Sequence, residues 1–441
     1  MSRSRFLMGA FGSALQAILA AAIQAMRLCI GAIRLTVPKS TLGSHLGPPL
    51  ASLALTLGAS LAHAGEDPLA LHRGVNVQVW QNGTALNPGG DRGRPPERAQ
   101  WGSASDFEQI RALGFDFVRL PVDPGPLLLA DGARRLEAVE RLERAVRLVH
   151  RSGLKVVLAI TGQTKLLSAT SPEDLAANGL DDRYRGVVAG LAGMLARVDA
   201  NATALELTSG MDSGSCDGRA GRAWEAQVEG MVRAVRETAR DLTLIVSGAC
   251  GGDAKGLVQL NPAALNDDRL LFSFHFFEPT SFTRQGMGAA KDVKGAPWPA
   301  DAVAEPLALV FSKLLISQDE DLTANDRESR ISGVRRYLDG YLAGGWEESR
   351  LKARFSEVSA WAERYNLTPS RLFLGAFGVM AANLNRGGAL DADRFRWLNA
   401  VRHEAEALGI AWTYTPPSFD EDRRPDPIAL VALGLVPGVG N

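Results

Sequence analysis

The sequence predicts an α/β protein: a (β/α)8 TIM barrel, built as a single domain with an insertion between strands 6 and 7. Three observations carry that expectation. From Leu71 onward, short apolar runs alternate with amphipathic stretches of helical period. The short runs are apolar on both faces, as the strands of a parallel sheet must be when helices cover it. Eight such units follow one another, and a barrel of this type takes roughly 250 residues plus insertions, which a 441-residue chain accommodates.

The first strand is VNVQVW (75–80). FDFVRLPV (115–122) follows the break at Leu113-Gly114, and LKVVLAI (154–160) follows Ser152-Gly153. TALELTS (203–209), LTLIVSG (242–248), LLFSFHF (270–276), RLFLGAF (371–377) and IAWTY (410–414) complete the eight. Between them lie helices with one apolar face each. In 133–150, Leu136, Val139, Leu142, Val146 and Val149 recur at spacings of three and four. Trp224, Val228, Met231 and Val235 repeat the pattern, as do Phe355, Val358 and Trp361. In 391–408 the stripe is Phe395, Leu398, Val401 and Ala405. Residues 280–345 exceed one barrel repeat and form the insertion.

Bulk composition narrows the partners. Hydrophobic residues make up 46% and charged residues 22%, which suits a packed core rather than disorder. The formal net charge is -1 with no long run of one sign, so no basic face for nucleic acid is expected.

Residues 1–64 differ from the barrel at 65–441. Residues 6–26 carry no charge, and a second uncharged stretch runs to Ala62-His63-Ala64. Basic residues (Arg27, Arg34, Lys39), an apolar stretch and then Ala-x-Ala form the layout of a secretory signal, so export to the periplasm or beyond is expected. The competing reading is an inner-membrane anchor, because 21 uncharged residues could span a bilayer. Of three cysteines, Cys216 and Cys250 lie in the mature chain. They follow the fourth and fifth strands, which neighbour each other in a barrel, so a disulfide between them is open alongside two free thiols.

Barrel chemistry sits at the C-terminal ends of the strands. There the sequence places Trp80, Arg119, Gln163, Ser209-Gly210-Met211-Asp212, Cys250, His275, Phe276, Phe277, Glu278, Ala376 and Trp412. Trp80, Phe276, Phe277 and Trp412 offer flat faces for stacking on sugar rings. Arg119, Gln163 and His275 offer partners for hydroxyls. His275 stands without a second histidine beside it, so no metal site is expected, and the pattern calls for no cofactor.

This set resembles glycoside hydrolase family 5, the cellulase-like retaining glycosidases, over roughly residues 71–415. RGVN (73–76) is similar to the family's opening strand and GFDFVRLPV (114–122) to its second, with Arg119 at the arginine position. SFHFFEPTSFTRQG (273–286) resembles the segment that carries the family's histidine, here His275, and ALGIAWTY (407–414) the last strand, with Trp412 at the stacking tryptophan. The resemblance implies a TIM barrel acting on or binding a polysaccharide or oligosaccharide. It also implies two catalytic glutamates, at the ends of the fourth and seventh strands. Those positions hold Gly210, within LELTSGM (205–211), and Ala376, within the corner Gly375-Ala376-Phe377-Gly378. A retaining glycosidase needs two carboxyl groups about 5–5.5 Å apart. The expectation is therefore a pseudoenzyme that binds carbohydrate. A working hydrolase with acids relocated to Asp212 and Glu278, and a scaffold using 280–345 as its contact surface, are the alternatives. Glu206 is expected as the buried partner of Arg119, since a buried charge needs pairing.

Overall fold

The computed structural model describes residues 69–77, 103–130, 132–161, 180–209, 218–301, 305–417 and 426–435. Eight strands close into a parallel barrel in sequence order. They are β1 Arg73–Asn76, β2 Phe117–Val122, β3 Lys155–Thr161, β4 Thr203–Ser209, β5 Thr243–Ser247, β6 Leu270–Phe276, β7 Leu372–Phe377 and β8 Ala411–Tyr414. β1 pairs with both β2 and β8, which closes the ring. The observed strands match the expected ones to within two residues at most ends. The first begins two residues early and ends at Asn76, and the expected residues 78–80 lie outside the described residues.

Alternation along each strand divides the core in two. The inner layer takes Phe117, Val157, Ala204, Ile245, Leu271, Phe373 and Ala411, with Leu69 and Leu71 packed against them. The outer layer lies between strands and helices and includes Val118, Leu158, Leu205, Leu244, Phe274, Leu374 and Trp412. The longer helices are α1 Ala104–Ala112, α2 Gly132–Arg151, α3 Leu180–Asp199, α4 Gly218–Arg236, α5 Glu305–Ser317, α6 Ala324–Ala343, α7 Glu348–Arg364 and α8 Asp391–Ala407. α1 and α6 start at capping boxes, Ser103 with Asp106 and Thr323 with Asp326, so the first free N–H groups of each are satisfied locally.

Three long helices separate β6 from β7. α7 is the barrel's own: Phe355 packs on Phe274 and Phe276 at 5.6 and 5.2 Å, and Trp361 on Phe272 at 5.5 Å. α5 and α6 are the additional pair, so the insertion stands where the sequence places it. Two expected core residues are exposed instead: Leu136 at 60% and Phe395 at 36%. Each stands two residues from a buried one, Ala138 and Trp397, and two residues is about 200° around a helix.

The inner layer leaves no spare volume at Gly74. A Cβ there would lie 2.2 Å from the Phe117 ring, which itself packs on Phe373 at 5.9 Å. Gly74→Ala is expected to destabilise the fold by about 1–3 kcal/mol through overpacking. Chemical denaturation of the two proteins side by side measures it, and an unchanged midpoint would show that the ring can move aside.

Candidate functional site

The site is built from four strands and one ion pair. Arg119 on β2 donates from Nε to Glu206 Oε2 on β4 at 2.6 Å. Its Nη1 donates to Asn76 Oδ1 on β1 at 2.8 Å. Asn76 Nδ2 in turn donates to Thr415 Oγ1, just past β8, at 2.8 Å. His275 on β6 completes the group, with Nε2 3.9 Å from Glu206 Oε1. Register explains why these side chains converge. Arg119 pairs with Val157 and Glu206 with Ile245, and both partners belong to the inner core. Arg119 and Glu206 are 3% and 0% exposed, so this is a dry ion pair.

Its electrostatics follow from burial. Desolvation alone would push the Glu206 carboxyl up, but the Arg119 charge and the nearby His275 outweigh it and bring the carboxyl down to about 2. Glu206 is thus a fixed anion. It balances Arg119 and lies 3.9 Å from His275, and it is the one carboxylate of this network among the described residues.

β7 reaches the site through a register slip. Phe274 pairs with Leu374, but His275 pairs with Ala376, leaving Gly375 over as a bulge. Bulges re-aim side chains. Phe274 and Phe276 lie on the outer side against Phe355, so His275 between them faces inward, and Ala376 shares its register. Space at the bulge is tight: a Cβ on Gly375 would stand 2.6 Å from Ser273 Oγ and 3.3 Å from His275 Nε2. On the other side of the imidazole, a Cβ on Gly252 would lie 3.7 Å from His275 Nδ1. That glycine belongs to a turn in which Cys250, Gly251 and Gly252 all have positive φ, at 61°, 68° and 76°. Cys250 is disulfide-bonded. Cys216 and its expected pairing lie outside the described residues.

The structure thus brings Arg119 and His275 together around Glu206, with Ala376 in register with His275. It does not bring Trp412. That residue is 1% exposed on the helix side, packed against Phe115 at 6.4 Å and Phe377 at 5.7 Å, with Nε1 donating to Glu406 of α8 at 3.3 Å. Its neighbour Ala411 takes the inner position, so the expected stacking face is turned away from the cleft. Phe276 is likewise an outer-core residue, stacked on Trp397 at 6.0 Å. Glu278 is no free acid either: its carboxylate accepts from Arg354 Nε of α7 at 3.1 Å. Phe277 is half-buried, with the Arg284 guanidinium 5.8 Å from its ring centroid. Trp80, Gln163, Gly210 and Asp212 lie outside the described residues. Sequence reasoning missed Asn76 and Thr415. An asparagine closing an apolar strand was the available signal for Asn76, and Thr415 shares the parity of inward Ala411. Among the described residues, no group of three or more His, Cys, Asp and Glu could hold a metal ion.

This polar cluster lies toward the C-terminal end of the parallel barrel, which is where barrel enzymes bind substrate. The sequence matches the family described as Cellulase (glycosyl hydrolase family 5) over residues 82–417, and the chain belongs to that family. Cellodextrinase A of Ruminococcus flavefaciens is 27% identical over 192 residues, covering 43% of this chain and 55% of that protein. The chain therefore spans about half the length of this curated relative. Among solved structures, cellulose synthase subunit Z of Clostridioides difficile aligns with a TM-score of 0.56 at 20% identity, over 82% of this chain and 99% of that one. Cel5A of Thermotoga maritima, solved with mannotriose, aligns at 0.56 and 18% identity over 84% and 99%. A Bacteroides ovatus xyloglucanase with a heptasaccharide aligns at 0.59 and 18% identity over 83% and 75%. At these identities the likeness to solved structures concerns the fold.

A carboxyl held lower in the folded chain than in the unfolded one stabilises the fold at higher pH. That contribution is lost as pH falls through the folded value. For Glu206 the window runs from 4.5 down to about 2. Glu206→Gln is expected to cost on the order of 3 kcal/mol at pH 7, because it removes the charge that balances buried Arg119. The gap between the two proteins should narrow as pH falls across that window. Denaturation curves at several pH values measure it, and a gap independent of pH would contradict the assignment.

Proposed function

We propose that this family 5 barrel binds a polysaccharide or oligosaccharide in its cleft without hydrolysing it. The observation that carries the reading is Ala376: an inward-facing methyl beside His275, at the strand end where the family resemblance calls for the nucleophilic glutamate. Gly210 occupies the other expected glutamate position in the sequence. A methyl group can neither attack an anomeric carbon nor protonate a leaving oxygen, and losing both roles removes the covalent and acid–base contributions together. Glu278 is engaged by Arg354, which argues against its acting as a substitute acid.

Binding is the role the remaining cleft suits. Arg119, Asn76 and His275 form a preset polar floor, and sugar is what related proteins of this family are solved with: mannotriose in one case, a xyloglucan heptasaccharide in another. Export completes the reading. The signal-like layout before Gly65 and the disulfide at Cys250 both support an oxidising compartment.

The experiment is turnover and binding by the unmodified chain on soluble β-glucans and β-mannans. Binding without product release is expected. Gly210→Glu with Ala376→Glu should recover detectable cleavage, and either change alone should do little, because the two groups act as a unit. Robust turnover that vanishes in Asp212→Ala would sink the proposal in favour of relocated acids. For the disulfide, non-reducing peptide mapping should recover Cys216 joined to Cys250. A free thiol at Cys216 would remove that support for export.

A further inference from the structure

Resting on the reading of the cleft as a sugar site, we infer that its ligand is an acidic oligosaccharide, one built from uronic acid units. The segment after β6 places the Arg284 guanidinium over the Phe277 ring, 5.8 Å from its centroid. Phe277 immediately follows β6 and stands two residues from inward-facing His275. Its carbonyl is held by Thr283 Oγ1 at 2.6 Å. The adjoining Thr283 carbonyl accepts from Met380 N at 2.9 Å, four residues past Ala376. Arg284 therefore sits where the segments leaving His275 and Ala376 meet.

Its position over the Phe277 ring singles out that arginine among the cations of these two segments. Residues 277–301 and 378–391 contain four acids: Glu278, Asp292, Asp301 and Asp391. Three are engaged by arginines of the surrounding helices: Glu278 by Arg354 at 3.1 Å, Asp292 by Arg330, and Asp391 by Arg394 at 3.1 Å. Against them stand Arg284, Lys291, Lys294 and Arg386. Lys294 Nζ donates to the Asn383 carbonyl at 2.8 Å, an uncharged partner. Arg284 is exposed and makes no salt bridge within the described residues. The wall thus presents an aromatic ring beside a planar cation that makes no salt bridge among the described residues. A neutral sugar uses the face alone. A uronate adds its carboxylate on the guanidinium fork, the geometry in which arginine binds carboxylates best, with its ring against the part of Phe277 that the guanidinium leaves open.

The wall is also rigid, which favours recognition over steering. Gly388 N donates to Val293 O at 3.0 Å, Gly295 N to Gly388 O at 2.9 Å, and Ala389 N to Met380 O at 2.9 Å. A Cβ on Gly286 would lie 2.2 Å from the Gly387 carbonyl, so the two segments touch backbone to backbone.

The test uses the full mature chain and three tetrasaccharide probes in calorimetry: oligogalacturonate, its methyl ester and cellotetraose. The methyl ester keeps the ring and removes the charge. Oligogalacturonate is expected to bind at least tenfold more tightly than its ester, and the advantage should shrink with added salt. Arg284→Gln should abolish the preference for acid over ester, and Arg284→Lys should restore part of it. Equal affinity for acid and ester, or tighter binding of cellotetraose, overturns this inference and leaves the sugar-binding reading standing. Binding of none of the three overturns both.

Discussion

The ion pair between Arg119 and Glu206 is the constraint on which the site depends. Two charges in the dry interior of a barrel are tolerable together and costly apart. Glu206 therefore stays ionised, Arg119 is held in one orientation, and Asn76 and His275 are arranged around the pair. Because the members stand on β1, β2, β4 and β6, the network also ties distant parts of the barrel across its interior. None of this requires a catalytic acid. The pair keeps a polar cleft floor in place whether or not the chemistry above it operates.

That separation explains how a family 5 barrel can keep the architecture of its cleft with an alanine at residue 376. The bulge at Gly375 aims residue 376 inward through backbone register, not through any contact of the residue itself. His275 lies between Gly375 and Gly252, with Nε2 3.9 Å from Glu206 Oε1, so it too is placed by neighbours other than residue 376. A carboxylate at 376 would add charge to this setting without being needed to build it.

The fold was legible in the sequence because barrel burial writes itself in period. Strands apolar on both faces and helices with one apolar stripe give element type and order, and the Arg119–Glu206 pair followed from the cost of an unpaired buried charge. The differences have several causes. Trp412 and Phe276 at strand ends and Leu136 on an apolar stripe face the other way because a shift of one position in a strand or two in a helix turns a side chain to the opposite face. Tryptophan at a strand end reads equally well as stacking face or outer core, and here the indole found Phe115, Phe377 and the Glu406 carboxylate behind the sheet. Glu278 looked free because its partner, Arg354, lies 76 residues further along the chain. The bulge at Gly375 had no signature beyond the glycine itself.

A scaffold role for the barrel would need only its outer surface, and the interior then would be expected to fill with apolar side chains. The cleft end is not filled that way. Asn76, Arg119, Glu206 and Ser273 are all buried there, and the hydroxyl of the last has no partner among the described residues. Buried polar groups carry a standing cost that apolar replacements of the same shape would remove. The neighbouring wall adds glycines at Gly286, Gly387 and Gly388, whose close backbone contacts admit no side chain. Such features weaken a scaffold but preorganise a binding surface, since a rigid wall and a fixed polar floor lose little freedom when a ligand arrives. The physical balance therefore supports the proposed binding role over a scaffold role.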